Sequence, residues 1–76
     1  MSSLTKKAIK TVFLQLLEKK PYNQITVRDI VEECGINRNS FYYHFADIPT
    51  LLGEIITDEI NKLVHKIFDL SDEEVS

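Results

Sequence analysis

Gly35-Ile36-Asn37-Arg38-Asn39-Ser40-Phe41-Tyr42-Tyr43-His44-Phe45 is the stretch that decides the fold. Glycine supplies the positive φ of a helix stop, and Asn37, two residues later, supplies a side-chain oxygen for a new helix start. Nothing from Arg38 to Phe45 breaks a helix. Two helices therefore meet across a very tight turn, the outline of a helix-turn-helix. At about 100° per residue, Phe41 and Phe45 point inward together, and the opposite arc falls to Asn39 and Tyr43, flanked by Ser40 and Tyr42. Arg38 lies nearer the core-facing edge, but it belongs to the first turn, where its long side chain reaches past the helix end.

Upstream, Thr26-Val27-Arg28-Asp29 has the form of a capping box, so a second helix starts there and runs to Gly35. It carries Val27, Ile30, Val31 and Cys34 on its apolar side and shows Arg28, Glu32 and Glu33 outward. Before it, residues 4–20 place Ala8, Ile9, Val12, Phe13, Leu16 and Leu17 at helical spacing, and Pro21 ends this first helix. Lys19 and Lys20 suit the dipole of its last turn, whereas Lys6, Lys7 and Lys10 run against the dipole and are candidates for an outside anion or for plain solubility. Pro21 to Gln24 is a short loop pinned by Tyr22 and Ile25.

Downstream, Asp47 starts a fourth helix, with Pro49 tolerated in its first turn. Leu51, Leu52, Ile55, Ile56, Ile60, Leu63, Val64, Ile67 and Phe68 give the longest apolar stripe of the chain, and the spacing predicts a helix to about residue 69. Ser71-Asp72-Glu73-Glu74-Val75-Ser76 repeats a cap-like pattern and reads either as an acidic tail or as the first turn of a further element.

Seventy-six residues, 43% hydrophobic and 28% charged, describe one small globular domain of modest stability. No apolar run approaches the roughly 18 residues that span a bilayer, and no signal-peptide core follows the start, so the expected address is cytoplasmic, on the nucleoid. A single cysteine, Cys34, forms no internal disulfide and reads as a small buried residue beside the turn; with His44 and His65 it matches no zinc spacing, so neither metal nor cofactor is expected. The net charge of −3 hides an asymmetry: residues 1–45 carry seven basic and four acidic groups, residues 46–76 two basic and eight acidic. The first part suits a polyanion; the second does not. No paired carboxylates, phosphate loop or nucleophile with a base at motif spacing points to an enzyme.

Reading DNA needs a helix that enters the major groove, donors and acceptors on its outward face, and backbone-gripping groups around it. The third helix, about residues 38–44, supplies these. Arg38 suits guanine, Asn39 suits adenine, and Ser40 is adaptable. Tyr42, Tyr43 and His44 donate to phosphates, the N–H groups of Thr26 and Val27 offer an anion site, and Arg28 reaches toward the groove edge. His44 as a packing residue and Arg28 as a salt-bridge partner of Glu32 are the competing readings.

Ile25-Thr26-Val27-Arg28-Asp29-Ile30, Gly35-Ile36-Asn37, Ser40-Phe41-Tyr42-Tyr43-His44-Phe45 and Leu51-Leu52 resemble the amino-terminal domain of the tetracycline-repressor-like (TetR/AcrR) regulators, over residues 6 to about 60. The resemblance implies an all-α fold, a three-helix, homeodomain-like bundle with a longer fourth connecting helix. It implies residues 1–48 as the helix-turn-helix domain and 49–76 as a connecting helix leading into a ligand-binding and dimerisation domain. It implies a bacterial transcription regulator that binds a palindromic operator in double-stranded DNA as a homodimer and answers a small-molecule effector. Positions matching Arg38, Asn39, Ser40, Tyr43 and sometimes Arg28 then face bases, and those matching Thr26, Tyr42 and His44 hold phosphates, with Val27 and Lys6 as added phosphate candidates from the residue reading. Departures from the family pattern are Ile48 in place of a phosphate-anchoring lysine, Pro49 for an acidic residue, Ser40 for threonine, Phe41 for leucine and Val31 for alanine. The competing function is a helical protein-interaction module whose helix-turn-helix does not bind DNA.

Overall fold

Ile9, Phe13 and Leu16 recur at spacings of three and four, so a helix through them buries one side. In the computed structural model, which describes residues 2–75, this helix is α1, Ser2–Leu17. It ends three residues before the expected boundary at residue 20. Proline disfavours helical geometry in the residue before it, and the chain unwinds early, with the N–H groups of Lys19 and Lys20 both donating to the Leu16 carbonyl at 2.9 and 3.0 Å. Lys19 and Lys20 thus lie past the helix, and Lys20 Nζ meets Asp29 Oδ2 at 2.8 Å rather than serving the dipole. Ala8, expected in the apolar stripe, is exposed on its edge.

The loop after Pro21 is a short 3-10 turn, Tyr22–Gln24. Tyr22 sets its ring edge-on to Phe13, with centroids 6.2 Å apart, and Ile25 is buried. The second helix, α2, is Val27–Cys34, and its capping box is complete: Thr26 Oγ1 accepts from the Asp29 N–H at 3.1 Å, and the Thr26 N–H donates to Asp29 Oδ2 at 3.0 Å. At its other end Gly35 has φ 72°, and the N–H groups of Gly35 and Ile36 donate to the carbonyls of Glu32 and Val31. This is the paired closure of a Schellman stop, which satisfies two orphan carbonyls of the helix. Cys34 is half-buried against the core rather than fully enclosed.

Asn37 then caps α3, Arg38–His44, by accepting the Ser40 N–H at 2.9 Å. Phe41 and Phe45 are buried with Phe13, Ile9, Ile30 and Leu51 in one cluster, which makes α1, α2, α3 and the start of the fourth helix a single bundle. That fourth helix, α4, is Ile48–Val75, 28 residues, begun by Asp47 Oδ1 accepting the Thr50 N–H at 2.8 Å. It runs past the expected end near residue 69, so Ser71 to Val75 continue it instead of forming a tail or a new start. No glycine or proline lies beyond Gly53 to interrupt it.

Only the first part of α4 packs. Leu51 and Ile55 are buried, whereas every residue from Glu59 to Asp69 is exposed. The radius of gyration, 15.5 Å, exceeds the roughly 11 Å of a compact chain of this length, and the longest extent is 50 Å. The packed part is clasped to α1 by ion pairs: Lys6 Nζ to Glu54 at 2.8 Å, and Lys10 Nζ to Glu54 at 3.3 Å and to Asp58. Hydrogen bonding to Asp58 raises the Lys10 pKa, and the lysines lower those of Glu54 and Asp58. Among the described residues no helix is long and apolar enough to cross a membrane.

Two experiments check this account. A carboxylate with a lower pKa in the folded than in the unfolded state stabilises the fold fully above its unfolded value near about 4, and that contribution is lost as pH falls through the folded value. Thermal unfolding followed by circular dichroism is expected to show a Tm that drops below about pH 4, less steeply in the Glu54→Gln/Asp58→Asn double variant than in wild type; equal acid slopes would remove the clasp from the account. Separately, an added Cβ meets nothing within 4 Å at either Gly35 or Gly53, so alanine there reports backbone conformation alone. In urea denaturation Gly35→Ala is expected to cost about 1–2 kcal/mol, whereas Gly53→Ala, inside α4, gains about 0.5–1 kcal/mol. A neutral Gly35→Ala would contradict the left-handed turn.

Candidate nucleic-acid interface

Because Phe41 and Phe45 occupy the inner side of α3, its remaining residues face out. Tyr43 is 78% exposed and Tyr42 49%, Arg38 and Asn39 are exposed, and Ser40 and His44 are half-buried. The two tyrosines are steadied by edge-on aromatic contacts, Tyr42 against Phe41 at 5.3 Å and Tyr43 against His44 at 5.0 Å between centroids. His44 also lies 6.2 Å from the Phe45 ring, so it packs at the helix end while keeping an open edge. Arg38, expected nearer the core, has no carboxylate partner among the described residues, which leaves its guanidinium free for an external acceptor.

The start of α2 carries the second group of predicted residues. Thr26 is exposed, but its N–H is engaged by the capping box, so the anion site expected from Thr26 and Val27 N–H groups reduces to Val27, the first helical residue, whose N–H has no intrahelical acceptor. Arg28 Nε contacts Glu32 Oε2 at 3.0 Å, one turn on, and both side chains are largely exposed. The hydrogen bond that Arg28 donates to the Glu32 carboxylate raises the Arg28 pKa. Lys20 holds the Asp29 carboxyl below the ordinary carboxylate range, with the Thr26 N–H adding to the effect.

Lys6 stands apart from this group: its ammonium is bonded to Glu54 and lies 5.7 Å from the centre of the Phe45 ring. Sequence reasoning missed its neighbour Thr5. The first turns of α1 bring Thr5 to a shallow concavity shared with Asn37, Asn39, Ser40, Tyr43 and His44. The available signal was its position four residues before Ile9, a polar group on the extension of the buried stripe. Among the described residues no group of three or more His, Cys, Asp or Glu side chains could hold a metal. Burial pushes the Cys34 thiol up, away from a reactive thiolate.

The sequence pattern of the family described as "Bacterial regulatory proteins, tetR family" matches residues 13–55, a span from the middle of α1 to the packed part of α4. Among curated proteins, the HTH-type dhaKLM operon transcriptional activator DhaS of Lactococcus lactis is 33% identical over 64 residues, 84% of this chain and 34% of that protein. The uncharacterized HTH-type transcriptional regulators YxbF and YerO of Bacillus subtilis are 40% and 36% identical, each over 68% of this chain and over 14% and 18% of their own lengths. The chain thus spans about a third or less of these relatives. No solved structure matches it.

If the outward residues of α3 are held for contact rather than for the fold, removing them leaves stability intact. Arg38→Ala and Tyr43→Ala are expected to shift urea-denaturation stability by less than about 0.5 kcal/mol. Thr26→Ala, which removes a cap, costs about 1 kcal/mol. A large loss from Arg38→Ala would assign that side chain to the fold.

Proposed function

Since the chain belongs to the tetR family of bacterial regulatory proteins, DNA-binding transcription regulators, we propose that it recognises a palindromic operator by laying α3 in the major groove. The observation that carries this reading is the outward arc of α3, an arginine with no carboxylate partner among the described residues followed by asparagine, serine and a largely exposed tyrosine, on a helix whose other side is locked by two buried phenylalanines. Such an arc has no packing role to fill. It offers a guanidinium for the paired acceptors of guanine, an amide for the donor and acceptor of adenine, and hydroxyls that adapt to either.

In this proposal Arg38, Asn39, Ser40 and Tyr43 face base edges, and Arg28 joins them by exchanging its exposed contact with Glu32 for the groove. Tyr42, His44, the Thr26 hydroxyl and the Val27 N–H grip phosphates and set the register of α3 on the duplex. Lys6 contributes to the grip only by releasing Glu54. With Ile48 in place of a lysine, the start of α4 adds no cationic contact, so the grip rests more heavily on α2 and α3. The full-length protein is proposed to act as a homodimer on the nucleoid in the cytoplasm, its affinity set by a small-molecule effector bound outside residues 1–76.

Selection of bound duplexes from a random pool tests the reading directly. The expected product is a palindrome with half-sites about one helical turn apart or a multiple of it. Affinity for that duplex is expected to fall with salt, each neutralised phosphate adding about −0.9 to the slope of log K against log salt. Arg38→Ala is expected to cost about 1–3 kcal/mol on the selected duplex and to relax preference at one base pair. Concentration-dependent association through α4, with no salt-sensitive binding of any duplex, would instead establish the protein-interaction module.

A further inference from the structure

We infer that the concavity between the start of α1 and the exposed side of α3 receives a backbone phosphate of the bound duplex, with Thr5 as a contact residue on its α1 wall; this rests on the DNA-binding reading above. The concavity measures about 330 Å³ and is lined by Thr5, Asn37, Asn39, Ser40, Tyr43 and His44. Every one of these side chains carries at least one hydrogen-bond donor, a hydroxyl, an amide NH2 or a ring N–H, and none is a carboxylate. The cap consumes the Asn37 side-chain oxygen, which accepts from the Ser40 N–H, and leaves its amide NH2 as the free group.

A surface of converging donors without an acid is matched to an anionic oxygen. The larger groove between α1 and α4 makes the contrast, because its walls carry Asp58 and Glu59 beside Lys7, Lys10 and Lys62, and the two acids already hold Lys10 and Lys62. Thr5 is also placed where packing alone calls for an apolar residue. It lies one turn before the fully buried Ile9 on the same side of α1, and it is half-buried with its hydroxyl-bearing side chain at the edge of the concavity. Since α3 supplies the remaining walls, a phosphate seated there lies beside the groove that Asn39 and Tyr43 enter. Thr5 thereby ties the position of α1 to the docking of α3.

The test measures fluorescence anisotropy of a duplex selected from a random pool, and of a scrambled duplex, with wild type, Thr5→Val and Thr5→Ser. Thr5→Val keeps the branched shape and removes the hydroxyl; it is expected to weaken binding about three- to tenfold, equally on both duplexes because phosphate contacts carry no sequence information. Thr5→Ser is expected to bind like wild type. Single methylphosphonate replacements then locate the contact: one backbone position per half-site weakens wild type and weakens Thr5→Val by less. Wild-type affinity in Thr5→Val, a loss confined to the selected duplex, or a loss additive with every methylphosphonate overturns the Thr5 contact and leaves the DNA-binding reading standing. Absence of salt-sensitive binding by wild type overturns that reading and this inference together.

Discussion

Phe41 and Phe45 stand one turn apart on a seven-residue helix, and their burial against Phe13, Ile30 and Leu51 fixes the rotation of α3 about its own axis. So short a helix has room for only one packed side. Once the two rings are seated, Asn39 and Tyr43 have no direction left but outward, and Arg38 hangs free over the first turn. The left-handed Gly35 and the Asn37 cap complete the constraint by setting where α3 begins relative to α2. The exposed polar arc is thus a by-product of core packing, and the precision with which it is presented is inherited from the core.

The charges obey a similar economy of placement. A chain of net charge −3 is an unpromising partner for DNA by its sum alone. In the fold, however, Glu54 and Asp58 are turned toward Lys6 and Lys10, and Asp29 is held by Lys20 and its own capping box. Acidic groups are thereby neutralised within the bundle, and the concavity bordered by Asn39, Ser40 and Tyr43 has no carboxylate among its lining residues. Local field, not total charge, governs what such a surface attracts.

Much of this was legible in the sequence because it is written at short range. The capping box of Thr26 and Asp29, the stop at Gly35, the Asn37 cap and the inward pair Phe41 and Phe45 each depend on residues no more than a few positions apart, where helical periodicity and capping chemistry decide the outcome. The early end of α1 departs from the periodicity because Pro21 offers no N–H to the Leu17 carbonyl one turn back and restricts Lys20 before it, and the extension of α4 because its cap-like Ser71 sits in a run with nothing to stop a helix already under way. Pairing of Lys6 and Lys10 with carboxylates more than forty residues away, and the meeting of Thr5 with α3, depend on how helices cross. No local pattern carries that information.

The brevity of α3 has a thermodynamic consequence. A helix of seven residues is well below the roughly 12–15 needed for marginal stability in isolation. The surface it presents therefore exists only in molecules whose core is assembled, and recognition and folding draw on one equilibrium. A partner that binds this surface and not the unfolded chain raises the melting temperature with the logarithm of its concentration above its Kd, while any substitution that loosens the core enough to deplete the competent population lowers apparent affinity by the same fraction, without touching a contact residue.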